Sequence, residues 1–414
     1  MKALYLLAAL AASLPAVADE TGLKLSGSGE FWTYGTVQDR AGDSPLNPGN
    51  RVANLAAKQW TGEARFNLRA SGERAELVLR PRLLQQHSEG MAGSPDAGEA
   101  YLSQAFVRVR LNDILTATAG RELLTWGPAN FRSPSHPIYF DAGRTNPLRE
   151  VSGVDLLRLT LTSGPLSGTV ARIGGDGHLS GTAATPTTLA KVDWRGGDGM
   201  LSAIVANPAY GSPFLGAFAQ FTPDEAWLVY GEIGSGRRAR ELIPAASPFG
   251  PPFAAKNPSP RRTTALLGAT YTLENGQSVG AEWLHDGHGF KRNQGDRYFA
   301  RASESAQALR TDPANLAALQ NLRRGLGQAP VLLGRDYLSA LWQSNPQQGD
   351  RYWRLMWTAN LADHSQQASA YIENSLTPRV SLFALATRNF GGRNSEFGML
   401  LAGSLTLGVK LFAF

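Results

Sequence analysis

Arginine side chains recur at alternate positions along several stretches of the chain, opposite rows of apolar residues. Guanidinium groups make forked contacts with carboxylates and phosphates. Arginines on one side of neighbouring strands would therefore form a track that attracts and orders anions. By this parity, eight arginines share the polar side of their predicted strands: Arg65, Arg69, Arg74, Arg80, Arg82, Arg108, Arg110 and Arg172. The alternative is that they pair with Glu63, Glu76 and other acids and only fill the interior.

A second candidate region is rich in proline, aromatic and polar residues and spans residues 120–147. This composition predicts an ordered loop, and an ordered loop that folds inward would narrow a channel. Aromatic faces suit sugar rings, and arginines suit the acidic groups of sugars. The residues expected at this constriction are Arg121, Trp126, Gly127, Pro128, Arg132 and Arg144. The alternative is a structural loop that seals the outer rim.

Catalytic chemistry has little support. Nucleophilic catalysis needs a base held beside a nucleophile, yet all six histidines fall in or beside predicted loops. His285 and His288 resemble a metal-binding pair, but they directly follow a predicted strand, and a glycine-containing loop explains them better. No glycine-rich phosphate loop joins a strand to a helix, and the basic residues lie on strands. We therefore expect no enzyme activity, metal, cofactor or nucleic-acid partner.

Alternating polarity predicts an all-β fold of about eighteen strands, within a range of 16–18, separated in turn by tight turns and longer loops. The tight turns contain the Gly, Asn, Asp or Pro that hairpins need. This regular alternation is expected of a transmembrane antiparallel up-and-down β-barrel with short periplasmic turns and long outer loops. One helix, 301–326, is predicted inside the longest outer loop, 287–334, where it could cap the mouth or fold into the lumen.

The two ends of the chain carry targeting signals. Lys2, the apolar run 4–14 and Ala16-Val17-Ala18 predict a signal peptide of residues 1–18, cleaved to leave a single barrel domain of residues 19–414. No later stretch approaches the 18 apolar residues of a membrane-spanning helix. Phe414 is typical of the C-terminal aromatic recognised by the barrel-assembly machinery.

These signals place the protein in the outer membrane of a Gram-negative bacterium. An even strand count leaves both termini in the periplasm. We expect lipid and lipopolysaccharide around a monomeric barrel. The formal charge of +6 is carried mostly by arginine, which suits anionic partners but also reflects what a GC-rich genome would encode.

Gly120-Arg121, Trp126-Gly127-Pro128 and Gly153-Val154-Asp155 together resemble the Wzi-type capsule-attachment barrels and, less closely, the alginate-export porins. Both families are monomeric outer-membrane barrels that handle acidic polysaccharide. The resemblance covers residues 120–160 and implies shared roles for Arg121, Trp126, Gly127 and Pro128. Capsule-attachment barrels also carry a periplasmic helical bundle near the N-terminus, whereas here only a few residues precede the first predicted strand.

The sequence therefore favours a barrel that passes or holds acidic polysaccharide at the cell surface. Lumen arginines would contact carboxylates, and loop aromatics would stack on sugars. An anion-preferring diffusion porin for small solutes is the alternative, and an outer-membrane enzyme is a third and weaker one.

We expect the mature protein to sediment with outer membranes and to dissolve only in detergent, because its strands alternate between a lipid face and a wet face. Cell fractionation followed by detergent extraction tests this. Recovery as a soluble periplasmic protein would contradict the barrel.

Overall fold

The computed structural model describes residues 23–174, 185–209, 211–246 and 251–413. Eighteen strands form one antiparallel barrel in which strands adjacent in the chain pair with each other, and the first strand pairs with the last. This confirms the predicted fold and strand number. The predicted signal peptide and Phe414 lie outside the described residues.

The barrel strands are β1 (Lys24–Arg40), β2 (Lys58–Ser71), β3 (Ala75–Glu89), β4 (Asp96–Arg110), β5 (Leu115–Glu122), β6 (Val154–Ser163), β7 (Leu166–Gly174), β8 (Thr187–Gly196), β9 (Gly199–Pro208), β10 (Phe214–Phe221), β11 (Trp227–Gly236), β14 (Arg262–Thr272), β15 (Ser278–Asp286), β16 (Asp336–Gln343), β17 (Arg351–Asn360), β18 (Gln366–Thr377), β19 (Val380–Phe390) and β20 (Leu401–Phe412). A separate hairpin, β12 (Glu241–Pro244) and β13 (Phe253–Lys256), lies in the loop between β11 and β14. The helices are α1 (Arg292–Thr311) and α2 (Leu316–Gly327), with one 3-10 turn at Pro48–Asn50.

The barrel is apolar outside and polar inside, the reverse of a soluble protein. On β6, Leu157, Leu159 and Leu161 are 58%, 47% and 48% exposed. Arg158, between them, points into the lumen and donates to Glu122. This alternation is what a strand between lipid and a wet channel requires.

Exposed tryptophans lie near the short turns, among them Trp194, Trp227 and Trp342. Tryptophan prefers the membrane–water interface. The same face also carries exposed leucines and valines. The apolar band on the outer face and the tryptophans near the strand ends are together typical of a wall embedded in a membrane.

The long loops gather into a packed cap at the end of the barrel opposite the short turns. Leu46 of the first loop, Phe253 of β13, Tyr298 of α1 and Leu322 of α2 belong to one buried cluster. The two helices of the longest loop therefore belong to the cap, while Leu332 near the end of that loop packs with Phe131 inside the barrel. The prediction of a single helix over 301–326 is wrong in two respects: helical structure begins earlier, at Arg292, and it forms two helices interrupted near Pro313. Proline cannot supply the backbone N–H that a helix interior needs. No helix among the described residues is long and apolar enough to cross a membrane.

A lumen-facing cluster ties together the seam where the first and last strands meet. Lys410 of β20 lies 2.6 Å from the Glu373 carboxylate of β18 and 4.1 Å from the Trp32 ring of β1. Arg65 of β2 lies 3.6 Å from the same ring. Closing a barrel removes its exposed edges, and these contacts link four strands around the closure.

Lys410→Met should destabilise the barrel by about 3 kcal/mol, because it leaves the half-buried Glu373 without its cation. The urea midpoint of heat-modifiable electrophoretic migration measures this. Adding Glu373→Gln should restore part of the loss. Arg379→Met, in the exposed β18–β19 turn, is the matched control and should change stability by less than about 0.5 kcal/mol. Equal midpoints for Lys410→Met and the control would contradict the seam assignment.

Candidate channel and its constriction

The loop between β5 and β6, residues 123–153, folds into the barrel and crosses it; we call it the constriction loop. Ala129 and Phe131 pack with Tyr230 of β11, Leu284 of β15 and Tyr337 of β16. These strands lie across the barrel from β5. Of the two alternatives that the sequence left open for this loop, the structure shows the inward fold.

Two buried carboxyl groups on the far wall hold the tip of the constriction loop. Glu232 of β11 accepts from Ala129 N at 3.0 Å and from the Ser133 and Ser135 hydroxyls at 2.7 Å each. Glu232 is 3% exposed. Buried backbone donors without partners are costly, and the loop has no strand neighbours to satisfy them. Glu232 supplies an acceptor on the wall itself.

Glu282 of β15 completes this clamp. Its two carboxyl oxygens accept from Asn130 N at 2.5 Å and Phe131 N at 2.7 Å, and from the Tyr230 hydroxyl at 2.6 Å. Glu232 and Glu282 are separated by a single strand, β14. We refer to this pair as the carboxyl clamp.

The returning arm of the constriction loop is tied to the near wall. Glu150 accepts from Arg82 Nε at 2.6 Å and from Ser103 Oγ at 2.6 Å. Arg65 donates to Leu148 O at 3.2 Å. Burial opposes ionisation of Glu150, but the hydrogen bonds and charge of Arg82 outweigh burial, so the pKa of Glu150 is lowered. The loop is thus held at both walls.

Trp126 and His136 stiffen the first half of the loop. Their rings stack 3.9 Å apart at an angle of 5°. Burial lowers the pKa of His136 to about 3, so the ring is neutral at physiological pH. Its Nδ1 accepts from Ile138 N and Tyr139 N, which leaves Nε2–H to donate to Leu124 O at 3.0 Å.

Gly127 and Arg144 are structural parts of the loop. Gly127 has φ +79°, and a Cβ there would collide with the Glu232 carboxylate. Arg144 donates to Gly127 O at 3.1 Å and to Ala129 O at 2.5 Å. These two bonds hold the turn that contains Pro128, directly after Trp126. The expectation that Arg144 meets a substrate is therefore replaced by a loop-bracing role.

Two adjoining cavities of about 660 and 370 Å³ lie between the constriction loop and strands β1–β8. Both are lined by Arg108, Glu122, Leu123 and Thr125. Their charged lining residues are Arg69, Arg80, Arg108, Arg158, Lys191, Arg195, Glu76, Glu122 and Asp193. Six cations against three carboxylates give these walls a basic balance.

Most arginines predicted for the lumen are there, but several are paired with acids. Arg69 and Arg108 lie 2.8 and 2.9 Å from Glu76. Arg65 pairs with Glu63 at 2.5 Å. Arg80 lines the larger cavity and has no ion pair within the described part of the chain. Some arginines of the predicted track thus face a cavity without an acid partner, and others pair with acids of the lumen wall.

Three predicted track arginines lie elsewhere. Arg172 is on the outer surface, where it donates to Thr188 Oγ1 at 2.8 Å. Its neighbours Ala171 and Ile173 face inward because they pack on Leu124 and Tyr139 of the constriction loop. The apolar side of β7 is therefore the lumen side there, and the parity assigned to Arg172 was wrong.

Arg74 and Arg110 are exposed at the short-turn end and line neither cavity. Arg121 is buried in the wall, 2.8 Å from Asp155. Arg132 lies 4.6 Å from the Phe131 ring and lines a separate cavity of about 220 Å³ on the far side of the loop. Of the predicted constriction residues, Trp126 and Arg132 line cavities, Gly127 and Arg144 shape the loop, and Arg121 belongs to the barrel wall.

Lys191, Arg195 and the carboxyl clamp escaped the sequence analysis. Lys191 of β8 pairs closely with Asp193 and lies 5.9 Å from the Trp126 ring. The signal that could have revealed the carboxyl clamp is an acidic residue within a strand whose neighbours in the chain are apolar or small, as at Glu232 and Glu282. A charge in such a place needs a partner that strand parity does not reveal.

The two histidines at the end of β15, His285 and His288, have different surroundings. His285 Nδ1 lies 2.8 Å from Asp336 Oδ1. Burial lowers the pKa of His288 to about 4. Among the described residues, no group of three or more His, Cys, Asp or Glu side chains is placed to hold a metal ion.

Solved structures with the same fold cover 94% of this chain. OccAB1 of Acinetobacter baumannii matches with a TM-score of 0.56 at 11% identity over 96% of that chain. OccK5 (OpdH) of Pseudomonas aeruginosa matches with a TM-score of 0.51 at 10% identity over 97% of that chain. A mutant porin of Rhodopseudomonas blastica matches with a lower TM-score of 0.44.

No protein-family model and no curated protein matches the sequence. At these identities the likeness concerns the fold alone, a closed eighteen-stranded antiparallel β-barrel. Neither the Wzi-type nor the alginate-export resemblance is among these findings, and both stay predictions.

Glu232→Gln and Glu282→Gln should each loosen the constriction loop, because one acceptor oxygen becomes a donor facing backbone N–H or hydroxyl groups. Hydrogen bonds to charged groups contribute about 1.5–3 kcal/mol each. We expect higher single-channel conductance and more current noise in planar bilayers, with the largest change in the double variant.

Glu30→Gln is the matched control, since Glu30 is a carboxyl group on the lumen side of β1 whose hydrogen bond goes to Trp32 and not to the loop. It should leave conductance close to that of the unaltered protein. Clamp variants that conduct like this control would show that the carboxyl clamp does not hold the constriction.

Proposed function

We propose that this protein is a diffusion channel for small anionic solutes in the outer membrane of a Gram-negative bacterium. The observation that carries the proposal is the basic lining of the two adjoining cavities beside an inward-folded loop. Charge on the wall of a narrow pore selects ions of the opposite sign. Arg80, with no acid paired to it in the described residues, is the side chain best placed to contact a solute.

Paired arginines still contribute to this selectivity. Arg108 bridges Glu76 and Glu122 at 2.9 and 2.7 Å. Such pairs hold guanidinium groups in fixed positions along the wall, where part of each planar group stays open to the cavity. A passing carboxylate can then exchange one contact for the next without a deep binding well, which conduction requires.

Charge at the two mouths supports inward movement of anions. The outer loops 237–261 and 287–335 contain thirteen lysine or arginine residues and four acids. The eight short turns contain seven acids and two arginines. A basic outer mouth concentrates anions near the entrance, to an extent that salt reduces.

The constriction loop favours small solutes over polymer. It crosses the lumen and is fixed to both walls, at Glu282 and at Arg82. A polysaccharide would need this loop displaced along its whole path. The export or attachment of acidic polysaccharide, favoured by the sequence alone, therefore ranks behind a small-solute channel.

Arg80→Gln should lower the anion-to-cation permeability ratio by about twofold, because it removes from the wall of the larger cavity a cation that has no ion pair among the described residues. Reversal potentials in a potassium chloride gradient measure the ratio. Arg172→Gln, which removes the same charge from the outer surface, should leave the potential unchanged. Identical reversal potentials in the two variants would reject the basic cavity wall as the source of selectivity.

Current block by small dicarboxylates and by long uronate chains, measured in the same bilayers, distinguishes the two candidate functions. For a small-solute channel, the dicarboxylate reduces the chloride current and a long uronate oligomer adds no further block from the outer side. Strong block by the oligomer alone would favour polysaccharide passage instead.

A further inference from the structure

An apolar groove of about 570 Å³ runs along the outer wall at the barrel seam. It spans β18, β19, β20, β1 and β2, and it faces away from the lumen. Its main lining side chains are Trp60, Ile372, Leu382, Leu407, Val409 and Asn374. Leu407 and Trp60 are 56% and 58% exposed.

The strand register explains why the wall is hollow here. At one level, Ile372, Ala384, Leu407, Gly35 and Trp60 follow one another across five strands. Small residues alternate with large ones in this row. The Trp60 ring lies over Gly35, where an added Cβ would be 2.8 Å away. Ala384 and Gly35 therefore form the floor between raised aromatic and aliphatic sides.

Two cations stand at the outer end of the groove. Lys58 lies on the same face of β2 as Trp60, two residues nearer the outer loops. Arg388 lies on the same face of β19 as Ala384, four residues nearer the outer loops. Arg388 is 61% exposed and only loosely paired, 3.4 Å from Asp39. Glu89, opposite Lys58, shares its outer face but stands on β3, which is on the far side of β2 from the groove.

The separation of these cations follows from the sheet. Lys58 and Arg388 stand on β2 and β19, three strand spacings apart, which corresponds to about 14 Å across the sheet. Lys58 has no ion pair among the described residues. The surface thus combines an apolar groove at membrane depth with two separated cations at the level of outer-leaflet headgroups.

We propose that this groove binds one outer-leaflet lipid of the lipid A class, which carries two phosphates on a disaccharide headgroup and several acyl chains. Acyl chains would occupy the floor at Gly35 and Ala384, and Lys58 and Arg388 would each face a phosphate. Phosphatidylglycerol has one phosphate and could engage only one of the two cations. Because the groove faces lipid, this site goes beyond the channel function and does not depend on the transported solute.

Native mass spectrometry of the full mature protein in mild detergent tests the site, with diphosphoryl lipid A and phosphatidylglycerol as probes. We expect one lipid A to stay bound with at least about fivefold preference over phosphatidylglycerol. The double variant Lys58→Gln with Arg388→Gln should weaken lipid A binding by about tenfold and remove the preference. Ala384→Leu fills the floor and should weaken binding of both lipids.

Matched controls stand on the opposite wall. Arg172→Gln and Ala203→Leu make the same kinds of change on outward-facing positions of β7 and β9, and they should leave lipid A binding unaltered. Heat-modifiable migration confirms that each variant is folded. Conductance should be the same in all groove variants, so failure here is separate from failure of the channel proposal.

Three results would overturn the proposal. Equal retention of the two probes would remove the role of the paired phosphates. Undiminished lipid A binding in the double variant or in Ala384→Leu would place the lipid elsewhere. A dimer that disappears in Ala384→Leu would assign the groove to a second copy of the chain.

Discussion

The carboxyl clamp is the interaction on which the interior of this barrel depends. A loop that crosses a lumen brings backbone donors into a place without strand partners, and each unpaired donor would cost free energy. Glu232 and Glu282 solve this by accepting four backbone N–H groups and two serine hydroxyls from residues 129–135. With the tip fixed, the loop separates two basic cavities from a smaller one beside β17–β19.

Charge is distributed to suit a wet interior enclosed by lipid. Lumen arginines are kept in position by acids on neighbouring strands, as Arg108 is by Glu76 and Glu122. The same rule operates at the seam, where Lys410, Glu373 and Trp32 join the ends of the chain. Ion pairing therefore serves two purposes here: it builds the wall, and it leaves the cavities with more cations than carboxylates.

Local patterns predicted the elements well and the interior contacts poorly. Alternation of polarity located β7 at its observed residues 166–174, because period-two burial is written into each strand. Parity placed Arg80 and Arg82 correctly even though the sheet is irregular there, since the register shift leaves both on the lumen side. Parity failed at Arg172, where a loop from elsewhere in the chain covers an apolar patch inside the barrel.

The sequence by itself determined the barrel, its eighteen strands and the alternation of short turns with long loops, and it offered an inward fold of the loop between β5 and β6 as one of two alternatives. Those features follow from hydrophobic periodicity and turn chemistry, which act between residues close in the chain. Only the tertiary structure decided which arginines are paired, that Glu232 and Glu282 hold the loop, and that Gly35 and Ala384 shape a groove on the outer wall. The arginine pairs join neighbouring strands, and the carboxyl clamp and the groove join residues far apart in the chain, such as Glu282 with Phe131 and Gly35 with Ala384. No local pattern encodes either kind of meeting.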